Sequence, residues 1–183
     1  MLILMLGVAL WWLPHLWKRM APDHRASFGD KGKGIVAAVL VASVLLIIIG
    51  YRMADGPVWW GPAPALKGIN NLMVLVAVYL FAAAGMKTRI TSRMRHPQLT
   101  GFALWAAAHL LVNGDLPSFV LFGGLLVWAL LEMSVISRDQ PHWAPPTGPF
   151  PRRKEIMAGV GALVVFLVIG AIHTLLGYNP FGG

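Results

Sequence analysis

The chain of 183 residues contains no cysteine. That absence excludes disulfides, zinc–thiolate sites, iron–sulfur clusters and thiol catalysis. Charged residues are also scarce, at 12% against about 25% in a typical soluble domain. Acidic residues are the scarcest, with 7 Asp and Glu against 15 Lys and Arg. A metal site would therefore depend on the six histidines, the few carboxylates or methionine.

Hydrophobic residues make up 57% of the chain, and the mean hydropathy is +0.69. A chain this short does not bury so much apolar surface in a water-soluble core, which excludes an ordinary cytosolic enzyme. The sequence pI near 10.5 does not indicate nucleic acid, because the basic residues lie in short loops between apolar runs. The composition predicts an all-α, polytopic membrane protein of one domain over residues 1–183, with membrane lipid as a partner.

Uncharged apolar runs predict six transmembrane helices joined mostly by short loops. A proline-rich cytoplasmic loop is expected over residues 138–155. No internal repeat is evident, which argues against an inverted-repeat transporter. The helices are expected at about residues 1–17, 34–51, 68–86, 97–113, 117–137 and 156–177.

The basic residues predict the orientation of these helices. The first, third and fifth loops hold 13 of the 15 Lys and Arg residues, and the opposite side holds 2. Cytoplasmic loops carry the excess of Lys and Arg in membrane proteins. Both termini are therefore expected on the non-cytoplasmic side.

Two histidines are predicted to lie within the membrane. Ionisable side chains there are costly and usually face the interior of the bundle. His109 lies about 20 Å along the fourth predicted helix from His96, and the alanines at 106–108 leave room for a flat group. His173 lies in the outer half of the sixth helix, between two glycines. Each of the two is either a ligand or a histidine bonded within a close helix contact.

Two further histidines lie at the basic ends of predicted helices. His15 precedes Lys18 and Arg19, so its ring could bind a metal while the cations meet the carboxylates of an anionic cofactor. The alternative is an ordinary basic interface. His96 opens the fourth helix beside Arg95, and it is either a second ligand at this level or a helix-boundary residue.

Inward histidines on different helices are the arrangement that holds haem b. Proton relays and quinone sites use histidine pairs as well. Glu132 is predicted to pair with His15, His96 or a loop arginine, or to extend to the interface. No metalloprotease, nucleophile-elbow, phosphate-loop or dinucleotide motif is present.

One stretch of the sequence resembles a known family. Arg95-His-Pro-Gln-Leu-Thr-Gly101, followed by Leu104-Trp-Ala-Ala-Ala-His-Leu-Leu-Val-Asn-Gly-Asp115, is similar to the signature of the NnrU family. Gly50-Tyr-Arg52, Phe122-Gly-Gly124 and the tail from His173 also resemble its members. The family is named for a gene linked to nitrite and nitric oxide reduction in denitrifying bacteria. It is related to plant 15-cis-zeta-carotene isomerase, a haem b membrane protein.

This resemblance implies a multi-pass protein of the bacterial inner membrane that binds haem b. It implies that His109 is one axial ligand and that His15 is the other. The depth of the residues in the membrane instead pairs His15 with His96 and His109 with His173, so His96 and His173 stay as alternative ligands. Lys18, Arg19 and Arg95 are the expected contacts of the haem propionates.

The resemblance leaves three functions open. The first is a haem protein that supports nitrite and nitric oxide metabolism. The second is a haem-dependent isomerase of a carotenoid-like polyene; Ala106 replaces the cysteine of the plant isomerase, which excludes a thiolate ligand. The third is a non-catalytic scaffold or small transporter with structural histidines. The sequence alone does not decide whether the chain is an enzyme, nor its oligomeric state.

Overall fold

The computed structural model describes residues 1–182, and these residues are mostly helical. Two very short strands, β1 (Val58–Trp60) and β2 (Gly114–Asp115), and a 3₁₀ turn (Arg89–Ser92) connect the helices. In chain order the helices are α1 (Leu2–Met20), α2 (Pro22–Ser27), α3 (Gly29–Met53), α4 (Pro64–Met86), α5 (Pro97–Val112), α6 (Leu116–Asp139) and α7 (Arg152–Leu175).

Each of the six predicted segments overlaps one long helix, but several helices extend into charged sequence. α3 begins at Gly29 rather than residue 34, and α7 begins at Arg152 rather than residue 156. Helices continue beyond the hydrocarbon layer, where charged side chains stay hydrated, and a search for uncharged runs misses these turns. The proline-rich loop is correspondingly shorter than the predicted 138–155 and covers residues 140–151.

Four helices, α3, α4, α6 and α7, are long and apolar enough to cross a membrane. Their exposed surfaces agree: Val41, Leu45 and Ile48 on α3 are each more than half exposed, and lipid tails are what covers such a surface. α1 ends in Lys18 and Arg19, and α5 has only 16 residues, about 24 Å of helix. Four apolar helices of this length indicate a membrane protein. They support four of the six expected crossings, and the count of six is not supported.

The expectation of an all-α chain misses a small antiparallel pairing of β1 with β2. Val58 pairs with Asp115, and Trp60 pairs with Gly114. The indole of Trp60 lies against Gly114, where any Cβ would collide with the ring, and its N–H donates to the Leu110 carbonyl at 3.0 Å. Strands of two and three residues are too short to show an alternating hydrophobic pattern in the sequence. They form because two loops that are distant in sequence come into contact.

α1 and α3 pack very closely against each other. Cβ atoms at Gly7 and Gly50 would collide with the facing helix, at the backbone of Ile47 and of Leu4 respectively. The hydroxyl of Ser43, which is fully buried, donates to the Gly7 carbonyl at 2.8 Å. Small residues let membrane helices approach, and a hydroxyl across the contact then adds a hydrogen bond.

α5 lies inside the bundle, between α4 and α6. A Cβ at Gly101 would lie 2.8 Å from the carbonyl oxygen of Ala77 on α4, so α5 approaches α4 at backbone distance. Because of this close contact, the C-terminal half of α5, which includes His109, packs among the other helices. The other buried residues of α5 are Pro97, Ala103, Ala106 and Ala108.

The first prediction concerns the contact between α1 and α3. Gly50→Ala is expected to lower the free energy of unfolding by about 1–3 kcal/mol, because the added methyl forces the two backbones apart. Gly34→Ala on the same helix is the control: nothing lies within 4 Å of its Cβ position, so stability should stay equal or rise by about 0.5–1 kcal/mol. Unfolding by SDS titration measures both, and equal effects would contradict the close packing.

Candidate functional site

His109 is held in one orientation by its own helix. Its Nδ1 lies 2.8 Å from the carbonyl oxygen of Trp105, and because a carbonyl only accepts, Nδ1 carries the proton. The ring stacks on Phe122, with centroids 4.6 Å apart and planes at 25°, and it also contacts Trp105. Nε2 has no hydrogen-bond partner in residues 1–182. In its neutral form, an imidazole fixed in this way presents a lone pair at Nε2, and that form binds metals.

His15 and His173 repeat the same local geometry. The Nδ1 of His15 lies 2.7 Å from the Trp11 carbonyl oxygen, and the Nδ1 of His173 lies 2.8 Å from the Ile169 carbonyl oxygen. In each case the acceptor is four residues earlier on the same helix. Three histidines on α1, α5 and α7 therefore leave Nε2 available.

A chain of aromatic contacts links His15 to His109 but keeps them apart. The ring of His15 lies 4.6 Å from Trp128, and Trp128 lies 5.1 Å from Phe102, centroid to centroid. Phe102 then contacts Trp105, which contacts His109. The two imidazoles stand at opposite ends of this chain of rings and do not touch.

The other two candidate histidines, His173 and His96, have different surroundings, and their depths in the membrane stay predictions. His173 lies in the last turn of α7. His96 precedes α5, and its Nε2 lies 3.0 Å from the Ser137 hydroxyl. Burial, and then the charges of Arg95 and Arg19, lower the pKa of His96 below its usual value.

Two of the three predicted propionate contacts already have protein partners. Arg19 donates from Nε to Glu132 Oε1 at 2.9 Å, which joins α1 to α6. Arg95 donates to the carbonyl oxygens of Ile136 and Gln140 near the C-terminal end of α6. Lys18 is exposed. Of the alternatives that the sequence left open for Glu132, the geometry shows the pairing with an arginine of the basic end, Arg19.

Several buried polar atoms around His15 lack a partner within residues 1–182. They are the indole nitrogens of Trp11, Trp12 and Trp128 and the Oε2 atom of Glu132. Buried polar groups are nearly always hydrogen-bonded, so this cluster has capacity for an additional polar group. Trp11 and Trp12, one turn before His15, were recognisable from the sequence as neighbours of a possible cofactor site, whereas Trp128 was not, because it comes from a different helix.

A second polar network lies at the far end of the bundle and was also missed. The hydroxyls of Tyr51 and Ser118 are 2.8 Å apart. Asp115 accepts from both the backbone N–H and the hydroxyl of Ser118, at 2.8 and 2.9 Å. This is an N-cap of α6, and Asp–x–x–Ser was its signal. The next residues, Phe119–Gly123, form a π-helical turn, a feature frequent at functional sites, and His109 stacks on this turn.

The candidate histidines have the donor atoms that haem iron requires, but His15 and His109 are not placed to bind one haem between them. Free Nε2 atoms on neutral histidines are the donors that haem iron takes. Between His15 and His109, however, the rings of Trp128, Phe102 and Trp105 are packed together. No group of three or more His, Asp or Glu side chains suited to a non-haem metal ion occurs within residues 1–182.

The second prediction concerns the ion pair between α1 and α6. Glu132→Ala is expected to cost about 2 kcal/mol of unfolding free energy, because it strands a partly buried guanidinium. The side chain of Glu132 is only 7% exposed and that of Arg19 is 20% exposed. Asp30→Ala breaks an ion pair in which the side chain of Lys33 is 77% exposed and that of Asp30 is 95% exposed. This substitution should therefore lower the free energy of unfolding by about 0.5 kcal/mol or less. Equal losses in SDS unfolding would overturn this assignment.

Comparison with known proteins gives one match. The chain matches the NnrU protein family over residues 3–180. No curated protein and no solved structure matches it. Because the matched region takes in α1 to α7 together with the histidines on α1, α5 and α7, the chain belongs to the NnrU family.

Proposed function

We propose that this NnrU-family protein binds haem b in the membrane and supports nitrite and nitric oxide metabolism. The observation that carries the proposal is His109, an interior histidine whose Nδ1 is bonded to Trp105 and whose Nε2 is free. An imidazole within a bilayer needs a partner, and no protein group in residues 1–182 supplies one to Nε2. Bound haem would supply a redox-active iron that also takes up nitric oxide.

The surroundings of His109 support a fixed ligand. Trp105 and Phe122 hold two sides of the ring, and the backbone bond fixes its tautomer. Such a constraint on the second nitrogen orients a metal-binding histidine and strengthens its donor atom. The protein's part is to hold Nε2 in place and to keep water away from it.

The second axial position has two candidates. The resemblance implies His15, which would require the rings of Phe102 and Trp128 to rearrange. His173 is the alternative that the estimated membrane depths suggest, and it also has a free Nε2. If His15 is the ligand, Lys18 is the nearby cation without a protein partner for a propionate, while Arg19 would have to leave Glu132.

We further propose six membrane crossings, with both termini outside the cytoplasm, in the bacterial inner membrane. α1 spans 19 residues, about 28 Å, and it packs along α3, which is itself a candidate span. α5 packs along α4 in the same way. The excess of Lys and Arg in alternate loops supports the orientation.

The third prediction tests this topology by exploiting the absence of cysteine. Single substitutions Gly61→Cys and Ala144→Cys introduce one thiol each, both at exposed loop positions. A membrane-impermeant maleimide added to intact spheroplasts should label Gly61→Cys. Ala144→Cys should react only after the membrane is opened. The reverse pattern, or equal labelling, would contradict the proposed orientation.

The fourth prediction tests haem binding through the absorption spectrum. Detergent-purified protein from haem-replete cells should give a b-type reduced-minus-oxidised spectrum, and His109→Ala should abolish it because iron loses a fixed ligand. His173→Ala and His15→Ala then identify the second ligand, since only one of them should remove or shift the Soret band. A colourless wild-type protein, or an unchanged spectrum in His109→Ala, would refute the proposal.

A matched control and a functional readout accompany this experiment. His24→Ala removes an exposed histidine whose ring bonds Trp17 at 2.9 Å, and it should leave the spectrum unchanged. Cells of a denitrifying bacterium that lack the protein should consume nitrite more slowly. Wild type and His24→Ala should restore the rate, and His109→Ala should not.

A further inference from the structure

A cavity of about 490 Å³ lies between the C-terminal end of α4 and the N-terminal end of α7. It is at the basic end of the bundle, and none of the candidate histidines lines it. Its floor is apolar and its rim is cationic. The lining residues are Gly85, Met86, Lys87, Arg153, Lys154 and Met157.

The three cations of the rim are not neutralised by the protein. Within residues 1–182, neither an ion pair nor a side-chain hydrogen bond involves Lys87, Arg153 or Lys154. The nearest acidic residue in sequence is Glu155, and its Oε1 accepts the backbone N–H of Arg89 at 2.7 Å. That bond joins the segment after α4 to the first turn of α7, so it holds the two walls of the cavity together.

The start of α7 adds positive potential to the same place. The helix has 24 residues and follows Pro151, with no side chain capping its first turn. The N–H groups of an uncapped first turn point out of the helix, and the helix dipole favours an anion there. Arg153 and Lys154 lie in this turn and add their charges to the dipole, while Glu155, also in this turn, accepts the Arg89 N–H through Oε1.

Lys87 occupies a backbone position that normally belongs to glycine. Its φ is 55°, in the left-handed region. The Thr88 N–H donates to the Ala83 carbonyl at 3.1 Å, and the Lys87 N–H donates to the Ala84 carbonyl at 3.3 Å. This is the Schellman ending of a helix, which most often carries glycine. Lys87 adopts a backbone conformation that is unfavourable for a residue with a side chain, and its charge lies on the cavity rim. Residues in such conformations cluster at functional positions.

We propose that this cavity binds the phosphate head group of an anionic phospholipid. The phosphate meets Lys87, Arg153 and Lys154, as in other basic pockets between membrane helices. The acyl chains continue from Met157 along the aliphatic face of α7, where Val160 and Val164 are more than half exposed. A soluble anion such as free phosphate has no apolar part that could cover this surface, whereas the acyl chains of a lipid do cover it.

The affinity of the first bound lipid tests the proposal. Full-length protein in detergent micelles is titrated with phosphatidylglycerol, and native mass spectrometry counts the bound molecules. Phosphatidylcholine with the same chains and glycerol phosphate are the comparison ligands. Phosphatidylglycerol should bind at least tenfold more tightly than either. Tighter or equal binding of glycerol phosphate would replace the lipid by a small anion, and equal binding of phosphatidylcholine would refute an anion site.

Charge variants show whether the cavity itself is responsible. Lys87→Asn, Arg153→Gln and Lys154→Gln together should weaken phosphatidylglycerol binding roughly a hundredfold, at about fivefold per cation. Lys87→Arg with Lys154→Arg should bind as wild type does. The control removes three exposed cations elsewhere, Lys31→Gln, Arg93→Gln and Arg138→Gln, and should change the affinity less than twofold. If the control lost as much affinity for phosphatidylglycerol, the effect would come from the overall surface charge and not from this cavity.

Lys87→Gly separates a binding role from a structural one. Glycine suits the left-handed backbone, so the melting temperature without lipid should stay equal or rise. The affinity for phosphatidylglycerol should nevertheless fall about fivefold. An unchanged affinity, or a protein that melts earlier while still binding normally, would show that Lys87 serves only the helix end.

Discussion

The close packing of α5 against α4 and α6 is the contact on which the interior of this protein depends. Lipid tails are as apolar as the side chains they meet, so membrane helices associate through close approach and polar contacts. α5 achieves this with Gly101 against the Ala77 carbonyl and with its buried alanines. One consequence is that a helix of 16 residues, too short to be a clear span, lies inside and carries His109 with it.

The remaining helices arrange themselves around that contact according to their polarity. α3 and α7 expose large aliphatic side chains along most of their length, and they pack mainly on α1 and α4 respectively. α1 turns its aromatic and ionisable side chains toward α6, through the ring contacts of Trp11 and the pairing of Arg19 with Glu132. Polar contacts are thus concentrated on α1, α5 and α6 and at the helix ends, and Ser43 in the middle of α3 is an exception.

How much of this could be predicted from sequence follows from the range of each interaction. The six helical segments depend on local hydropathy and were recognisable. Their ends were not, because charged residues such as Lys31 remain helical in water. The pairing of β1 with β2 rests on the contact between Trp60 and Gly114, which no local pattern records. The depths of His109 and His173 were estimated from helix rise alone, and they stay predictions.

The histidine geometry required the structure. A histidine within a helix can donate to the carbonyl four residues earlier, but sequence does not show whether it does so, and this bond decides which nitrogen is free. The aromatic chain between His15 and His109 was equally invisible, since Trp128 and Phe102 come from different helices. Resemblance to the family implied a pairing of these two histidines, and packing now makes that pairing conditional on movement of the rings.

The haem proposal and the lipid proposal rest on separate parts of the molecule. The first depends on α1, α5 and His173 near the far end of α7. The second depends on the opposite end of α7 and the last turn of α4. Helix α7 links them, because a lipid that fixes its basic end against α4 also restrains the helix that carries His173. About 30 Å of helix separates Lys154 from His173, so the head-group cations can be replaced without contact with the histidine. Loss of lipid affinity with an unchanged absorption spectrum would therefore separate the two sites.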